Sequence, residues 1–212
     1  MTVNLRRKFI IASIITSGLF LLLSFLVNKD YFRNIDYEVM IALQSFINRK
    51  FDVHLSLFSP LGSTEITFII LFLIFLFVLW KKKHLFFGLL IYFLIFIIEI
   101  AGKLFIFHPD PPPLFNRYAL GLKLPSSFVI HTNFSYPSGH MARIVFISFI
   151  IGFLIVSGKS IRYKKAIFFF LLLMFVVFTF ISRIYLGEHW ISDVVGGVLL
   201  GVFTANLAFV FW

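Results

Sequence analysis

The chain has 212 residues, 60% of them hydrophobic and 13% charged, against about half and about a quarter in soluble domains. That balance excludes an ordinary soluble protein, and the absence of cysteine excludes a disulfide framework or a Cys-ligated metal site. A net charge of +10 is also found in nucleic-acid binders, but here the basic residues sit in short clusters beside apolar runs, which is a membrane pattern, so no nucleic-acid partner is expected.

In chain order, Phe9 to Val27 carries no charge and follows Arg6, Arg7 and Lys8. It exceeds a signal-peptide core, has no small-residue cleavage site, and reads as a first retained transmembrane helix. A half-polar stretch, Asn28 to Ser59, comes next. Within it Ile35, Val39, Met40, Leu43, Phe46 and Ile47 recur at helical spacing around Asp36, Glu38 and Gln44. This predicts an amphipathic helix, lying either in the membrane interface or on the bundle as a loop helix. Further spans are predicted at about Leu61–Trp80, Leu85–Lys103, Met141–Val156, Ala166–Tyr185 and Ile191–Trp212. The expected fold is all-α, a six-transmembrane-helix bundle with an interfacial helix between the first two spans. No repeat, linker or low-complexity block divides it, so residues 1–212 read as one domain.

The N-terminus and the turns at 81–83 and 158–165 hold ten of the nineteen Lys and Arg residues, as three, three and four. By the positive-inside rule these segments and both termini are cytoplasmic. The Lys103–His140 connection and the Leu186–Trp190 turn then face outside.

Three segments converge on that outer side: Pro137-Ser138-Gly139-His140, then Ser182-Arg183 with His189 and Asp193 following, and Lys103 with Asp110-Pro111. Ionisable residues at membrane depth are costly and usually serve a polar cavity. His189 and Asp193 are an i,i+4 pair on one helix face. A carboxylate on one ring nitrogen fixes the tautomer and leaves the other nitrogen nucleophilic. Arg183 and Lys103 can neutralise phosphoryl oxygens. The Pro-Ser-Gly-His turn brings a hydroxyl and backbone N–H groups to a helix N-terminus, an anion cradle, and His140 can protonate a departing oxygen. Together these make a phosphoryl-transfer site that needs no metal and no cofactor.

The pattern resembles the type 2 phosphatidic acid phosphatase (PAP2) superfamily, whose signature is Lys-x6-Arg-Pro, Pro-Ser-Gly-His and Ser-Arg-x5-His-x3-Asp. The second and third parts match residue for residue. The resemblance implies that His189 is the nucleophile, forming a phosphohistidine, and that Asp193 orients it. It also implies His140 as the acid, and Lys103, Ser138, Gly139 and Arg183 as phosphate-binding residues. The first part departs: Lys103 and Pro111 are in register, but Asp110 stands where the family has Arg. An anion 4 Å from a phosphate charge is repelled by about 4 kcal/mol at an effective dielectric near 20. Asp110 is therefore expected to point away or pair with a cation. Arg143, three residues past His140 on the same helix face, is expected to supply the missing charge, with Arg117 second.

Other polar residues read as structural. Glu99, one turn before Lys103, is expected to form an ion pair with Lys103 or another base. Gly197 and Gly201 read as a close-packing pair. His108 and His131 fall in the outer loop and are read as loop residues, His54 and His84 as interfacial ones. Asn133, Phe134 and Tyr136 are placed at the pocket rim. No cluster of metal-ligating residues lies outside the proposed pocket.

The resemblance implies a hydrolase acting on a lipid phosphate or diphosphate substrate among membrane lipids. Undecaprenyl diphosphate comes first, ahead of phosphatidylglycerophosphate, phosphatidic acid and lipid A phosphates. The expected location is a bacterial cytoplasmic (inner) membrane. A phosphotransferase using the same phosphohistidine, and a non-catalytic lipid-binding bundle, are the alternatives.

Overall fold

The computed structural model describes residues 2–81, 86–117, 134–158 and 161–212; His84, His131 and Asn133 lie outside the described residues. The helices are α1 (Val3–Asn28), α2 (Arg33–Phe46), α3 (Asp52–Phe58), α4 (Thr64–Lys81), α5 (Phe86–Leu90), α6 (Tyr92–Phe105), α7 (Gly139–Ser157), α8 (Arg162–Tyr185) and α9 (Ile191–Val210). There is no strand among the described residues, as expected for a lipid-embedded chain, which must satisfy its backbone polar groups within each helix.

Among the described residues five helical segments are long and apolar enough to cross a bilayer: α1, α5 with α6, α7, α8 and α9. The pair Arg49–Gly62 and Thr64–Trp80 passes the same test as a sixth, bent by 53°. The bend falls where Pro60 sits in a 3-10 turn and Ser63 turns extended, its Oγ accepting from Ile66 N at 3.3 Å. The expected second span from Leu61 therefore begins as a helix only at Thr64. The first span starts earlier than expected, at Val3, because nothing before the basic residues breaks the helix.

Helices α7 and α9 form the centre. Their apolar windows are 56% and 61% buried, against 17% for α1 and 22% for α8. Outward residues such as Ile14, Leu21, Phe168 and Phe170 are exposed from the protein, the arrangement lipid requires. The central packing includes Phe146, Ile150, Leu200 and Ala205, with Tyr92 and Tyr136 beside them.

The central pair meets through glycine. A Cβ on Gly197 would stand 2.4 Å from Ser138 O, and one on Gly201 2.6 Å from Ala142 O. Small residues at this spacing let two helix backbones touch where hydrophobic driving force is absent. The same contact seats the turn before α7 on the first turns of α9.

Both termini lie at one end of the bundle, where Phe9 packs on Phe209 with ring centroids 4.9 Å apart. At the other end Asn28 Oδ1 accepts from Phe107 N at 2.8 Å. Helix α2 covers that second end. Its Asp36 and Met40 are buried, and Gln44 Nε2 donates to Phe115 O at 2.7 Å and Tyr185 O at 2.9 Å. Ile35, Ile41 and Phe46 face outward. One face is thus bound to the bundle and the other is apolar and open, as suits a helix at the bilayer boundary.

Gly197→Ala should cost about 1–3 kcal/mol, since the clash is with backbone that cannot rotate away. Gly18→Ala, with nothing within 4 Å, should be neutral or stabilising. Thermal unfolding in detergent of the two variants checks the difference.

Candidate active site

The N-terminal end of α9 starts the site. Its first turn carries Asp193, which folds back so that Oδ2 accepts from Trp190 N at 3.0 Å. The same oxygen lies 3.3 Å from His189 Nδ1. His189 Nδ1–H therefore points at the carboxylate, and Nε2 is the nitrogen left for attack. The turn that delivers His189 is closed by Arg183 O, which accepts from Glu188 N at 3.2 Å and His189 N at 3.3 Å. Gly187, at φ +73°, makes this turn possible, because a side chain there would meet Phe115 O at 2.3 Å.

Helix α7 brings the second element. Ser138 caps it, and Ser138 N donates to Asp193 O at 3.0 Å, tying the Pro-Ser-Gly-His turn to the start of α9. Gly139 sits where a Cβ would be 2.0 Å from the Glu99 carboxylate. His140 follows, with Arg183, His189, Lys103 and Arg143 all within electrostatic reach.

The cations are paired. Lys103 Nζ is 2.9 Å from Glu99 Oε1, and Arg143 Nη1 is 2.6 Å from Glu99 Oε2. Arg143 Nε also donates to Gly62 O at 3.2 Å, and its guanidinium lies 5.3 Å from the Phe96 ring centre. The expected ion pair of Glu99 thus has two basic partners. Arg143 stands in the cation cluster, with one N–H group held by that carboxylate and another by backbone. Arg117, the second candidate, donates to Tyr185 OH at 3.1 Å and stacks on that ring.

Arg183 differs from the other cations. It is fully buried, and its Nη1 is bonded to Glu188 Oε2. Its Nε and Nη2, which form one edge of the guanidinium, have no hydrogen-bond partner among the described residues, nor does Ser138 Oγ. Buried donors are almost always satisfied, so orphaned ones ask for an explanation. A bidentate oxyanion on the Nε–Nη2 edge, with Ser138 Oγ as a further donor, satisfies all three.

Asp110 is exposed at the rim of a pocket of about 260 Å³ that also includes His108 and Trp190. Its carboxyl pKa is nonetheless raised, because desolvation outweighs the attraction of His189 and Lys103. Among the described residues it forms no ion pair, so of the two expected outcomes it takes the outward position.

Three residues of this end were not foreseen as members. His108, read as a loop residue, is buried with Nδ1 2.8 Å from Asp193 Oδ1 and Nε2 3.3 Å from Asp36 Oδ2. Asp36 caps the start of α9, accepting from Ser192 N and Ser192 Oγ, both at 2.9 Å. Glu188 accepts from Ser59 Oγ at 3.2 Å besides holding Arg183. The one signal available was that each is an ionisable group beside a motif or inside an apolar period. Of the rim residues, Tyr136 is buried under α1, its OH 3.0 Å from Ser24 Oγ, and Phe134 packs on Phe107. His54 lies near Phe51, away from the site.

A model described as the PAP2 superfamily matches residues 85–212, which include every motif residue. The chain belongs to the PAP2 superfamily. Among solved structures, it is similar to the first transmembrane PAP2 type phosphatidylglycerolphosphate phosphatase from Bacillus subtilis, with TM-score 0.73 and 20% identity over 92% of this chain and 93% of that one. It is also similar to Aquifex aeolicus LpxE, with TM-score 0.56 and 24% identity over 82% of this chain and 93% of that one. No curated protein matches the chain. The expected family and the all-α membrane fold are borne out, and the PAP2 chain is a membrane phosphatase by family.

Arg183→Lys in this PAP2 chain keeps the charge but removes the two-donor edge. It should lower kcat/KM by about 10²-fold or more. Activity within threefold of wild type would show that the Nε–Nη2 edge does not bind the phosphoryl group.

Proposed function

We propose that this PAP2 chain is a lipid phosphate or diphosphate phosphatase working through a phosphohistidine at His189, as one domain over residues 1–212. The carrying observation is the pair of orphaned, buried donor groups at Arg183 and Ser138, next to the His189–Asp193 pair. Buried donors are rarely left without an acceptor, and three unpartnered ones clustered beside the His189–Asp193 pair match the oxygens of a phosphoryl group.

His189 Nε2 attacks phosphorus, and the bond from phosphorus to the lipid oxygen or bridging oxygen breaks. His140 passes its proton to that departing oxygen. Arg183, Ser138 and the Gly139 N–H bind the phosphoryl oxygens, and Lys103 lends positive charge. Arg143 joins them as a cation, its position set by Glu99. Water then attacks the phosphoimidazole, the P–N bond breaks, and the water proton goes to His140. Each step uses only protein groups and water, so activity should survive excess EDTA.

The substrate we propose is undecaprenyl diphosphate. An apolar cavity of about 540 Å³ is lined by Phe9, Val145, Phe149, Val156, Phe169 and Val202, among others. Val145 is five residues past His140 and Val156 sixteen, so at 1.5 Å per residue the cavity runs from about 8 to 24 Å along α7. That depth suits a long hydrocarbon tail better than a short one. Both termini are proposed to be cytoplasmic in a bacterial inner membrane, with the site on the outer face, on the strength of the basic clusters. In intact cells, an impermeant thiol reagent should label Leu114→Cys and spare Ile161→Cys. The reverse pattern would move the site to the cytoplasm.

The two histidines should fail differently. His189→Ala should abolish turnover on every substrate. His140→Ala should lose about 10²–10⁴-fold on a lipid monophosphate. It should lose much less on p-nitrophenyl phosphate, whose leaving group needs no proton. A panel of polyprenyl diphosphate, phosphatidylglycerophosphate and phosphatidic acid with both variants reads substrate and roles together. Equal losses on all substrates in His140→Ala would make His140 a phosphate binder.

A further inference from the structure

The mechanism above leaves His108 unused, yet few side chains in the molecule are so fully engaged. Its ring is 5% exposed, between a carboxylate of α2 and a carboxylate of α9. Nδ1 is 2.8 Å from Asp193 Oδ1 and 3.1 Å from Ser135 Oγ. Nε2 is 3.3 Å from Asp36 Oδ2 and 3.4 Å from Ser192 Oγ. Both serine hydroxyl protons have other acceptors, His108 O for Ser135 and Asp36 Oδ2 for Ser192. Ionised carboxylates only accept. Asp36 accepts two hydrogen bonds from Ser192, and Asp193 one from Trp190 N, so both carboxylates face the ring as acceptors. Both ring nitrogens must therefore donate, which makes His108 an imidazolium.

Asp193 is consequently divided: Oδ1 goes to His108 and Oδ2 to His189. We propose that His108 is a positioning residue for this PAP2 site, an imidazolium that orients Asp193 and draws off part of its charge, so that His189 stays unprotonated and nucleophilic at neutral pH. The proposal rests on the reading of His189 as the nucleophile. A buried imidazole facing an undivided carboxylate gains proton affinity, and a protonated ring has no lone pair with which to attack phosphorus. A second cation on the same carboxylate weakens that pull while keeping the hydrogen bond that sets the tautomer.

The surroundings act in the same direction. Burial lowers the proton affinity of His108, but Asp193 and Asp36 more than offset this and hold its pKa at about 9, against an ordinary 6.5. The group is raised, so its charge is present at neutral pH and below, and is lost as pH rises through about 9. From α2 the facing groups are Asp36 and, lining the same pocket, Arg33, with Asp30 in the turn just before the helix. From α9 they are Asp193 and, through it, His189. Asp110 faces it from its own segment, with Lys103 of α6 beyond. Tyr136, whose ring centre is 6.5 Å away, closes the remaining side.

The test is the pH dependence of kcat/KM for His108→Asn and His108→Gln, each of which keeps one donor nitrogen, replaces the other by a carbonyl oxygen and removes the charge. The acidic limb of the profile should move up by about one pH unit. At neutral pH kcat should fall about tenfold or more with KM within threefold. An acidic limb within 0.3 unit of wild type in both variants would sink the proposal. Nitrogen-15 NMR of histidine-labelled wild type in micelles, without substrate, needs no variant to fold. At pH 7 it should give two protonated ring nitrogens for His108 and one for His189. A neutral His108, or a doubly protonated His189, overturns the inference. Failure to release phosphate from any lipid would instead overturn the phosphatase reading, and the NMR result would still decide the protonation of His108.

Discussion

A carboxylate with no solvent exposure, Asp193, holds the site end of this bundle together. Its two oxygens receive Trp190 N, His189 and His108, and its backbone oxygen receives Ser138 N. Four separate pieces of chain, the Leu186–Trp190 turn, the segment after α6, the Pro-Ser-Gly-His turn and α9 itself, are fixed relative to one another through this residue. An isolated carboxylate at that depth would cost several kcal/mol or would take up a proton. Satisfying it dictates where the neighbouring histidines stand.

The same constraint governs the cations. Lys103 and Arg143 share Glu99, Arg183 holds Glu188, and His108 lies between Asp36 and Asp193. None of these charges is left alone in a low-dielectric interior. Arg183 is set apart by geometry, since Glu188 occupies Nη1 and the Nε–Nη2 edge remains unpaired and buried. A fixed donor edge stabilises charge that develops during reaction more effectively than a mobile one, because no reorganisation is needed. The cost is borne by the surrounding scaffold. Gly139, Gly197 and Gly201 have no side chain because backbone or carboxylate already fills that space.

Asp110 and His108 show how the first motif has been rebuilt in this chain. The family places Arg where Asp110 stands. Here Asp110 is turned to the rim, and two residues earlier His108 reaches inward between two carboxylates. The chain therefore carries a buried cation in this segment, one tied to the orienting carboxylate and not aimed at the phosphate edge of Arg183.

The bilayer makes much of this architecture readable from sequence. Apolar runs of membrane length determined the number of spans and their approximate positions, because lipid imposes a minimum apolar length on each. The meeting of His189 with Asp193 was legible because four residues separate them across the start of one helix, where local geometry brings them together, while Arg183 and the Pro137–His140 turn were legible only through their motifs. Only the tertiary structure could decide the partners of Asp36, Glu99, Glu188 and His108. Asp36 meets Ser192 across 156 positions and His108 across 72. Such encounters follow from how α2 seats on α9 and how the Lys103–His140 connection folds inward. No periodicity encodes that, since a polar residue on an amphipathic helix reads the same whether it faces water or a buried imidazolium.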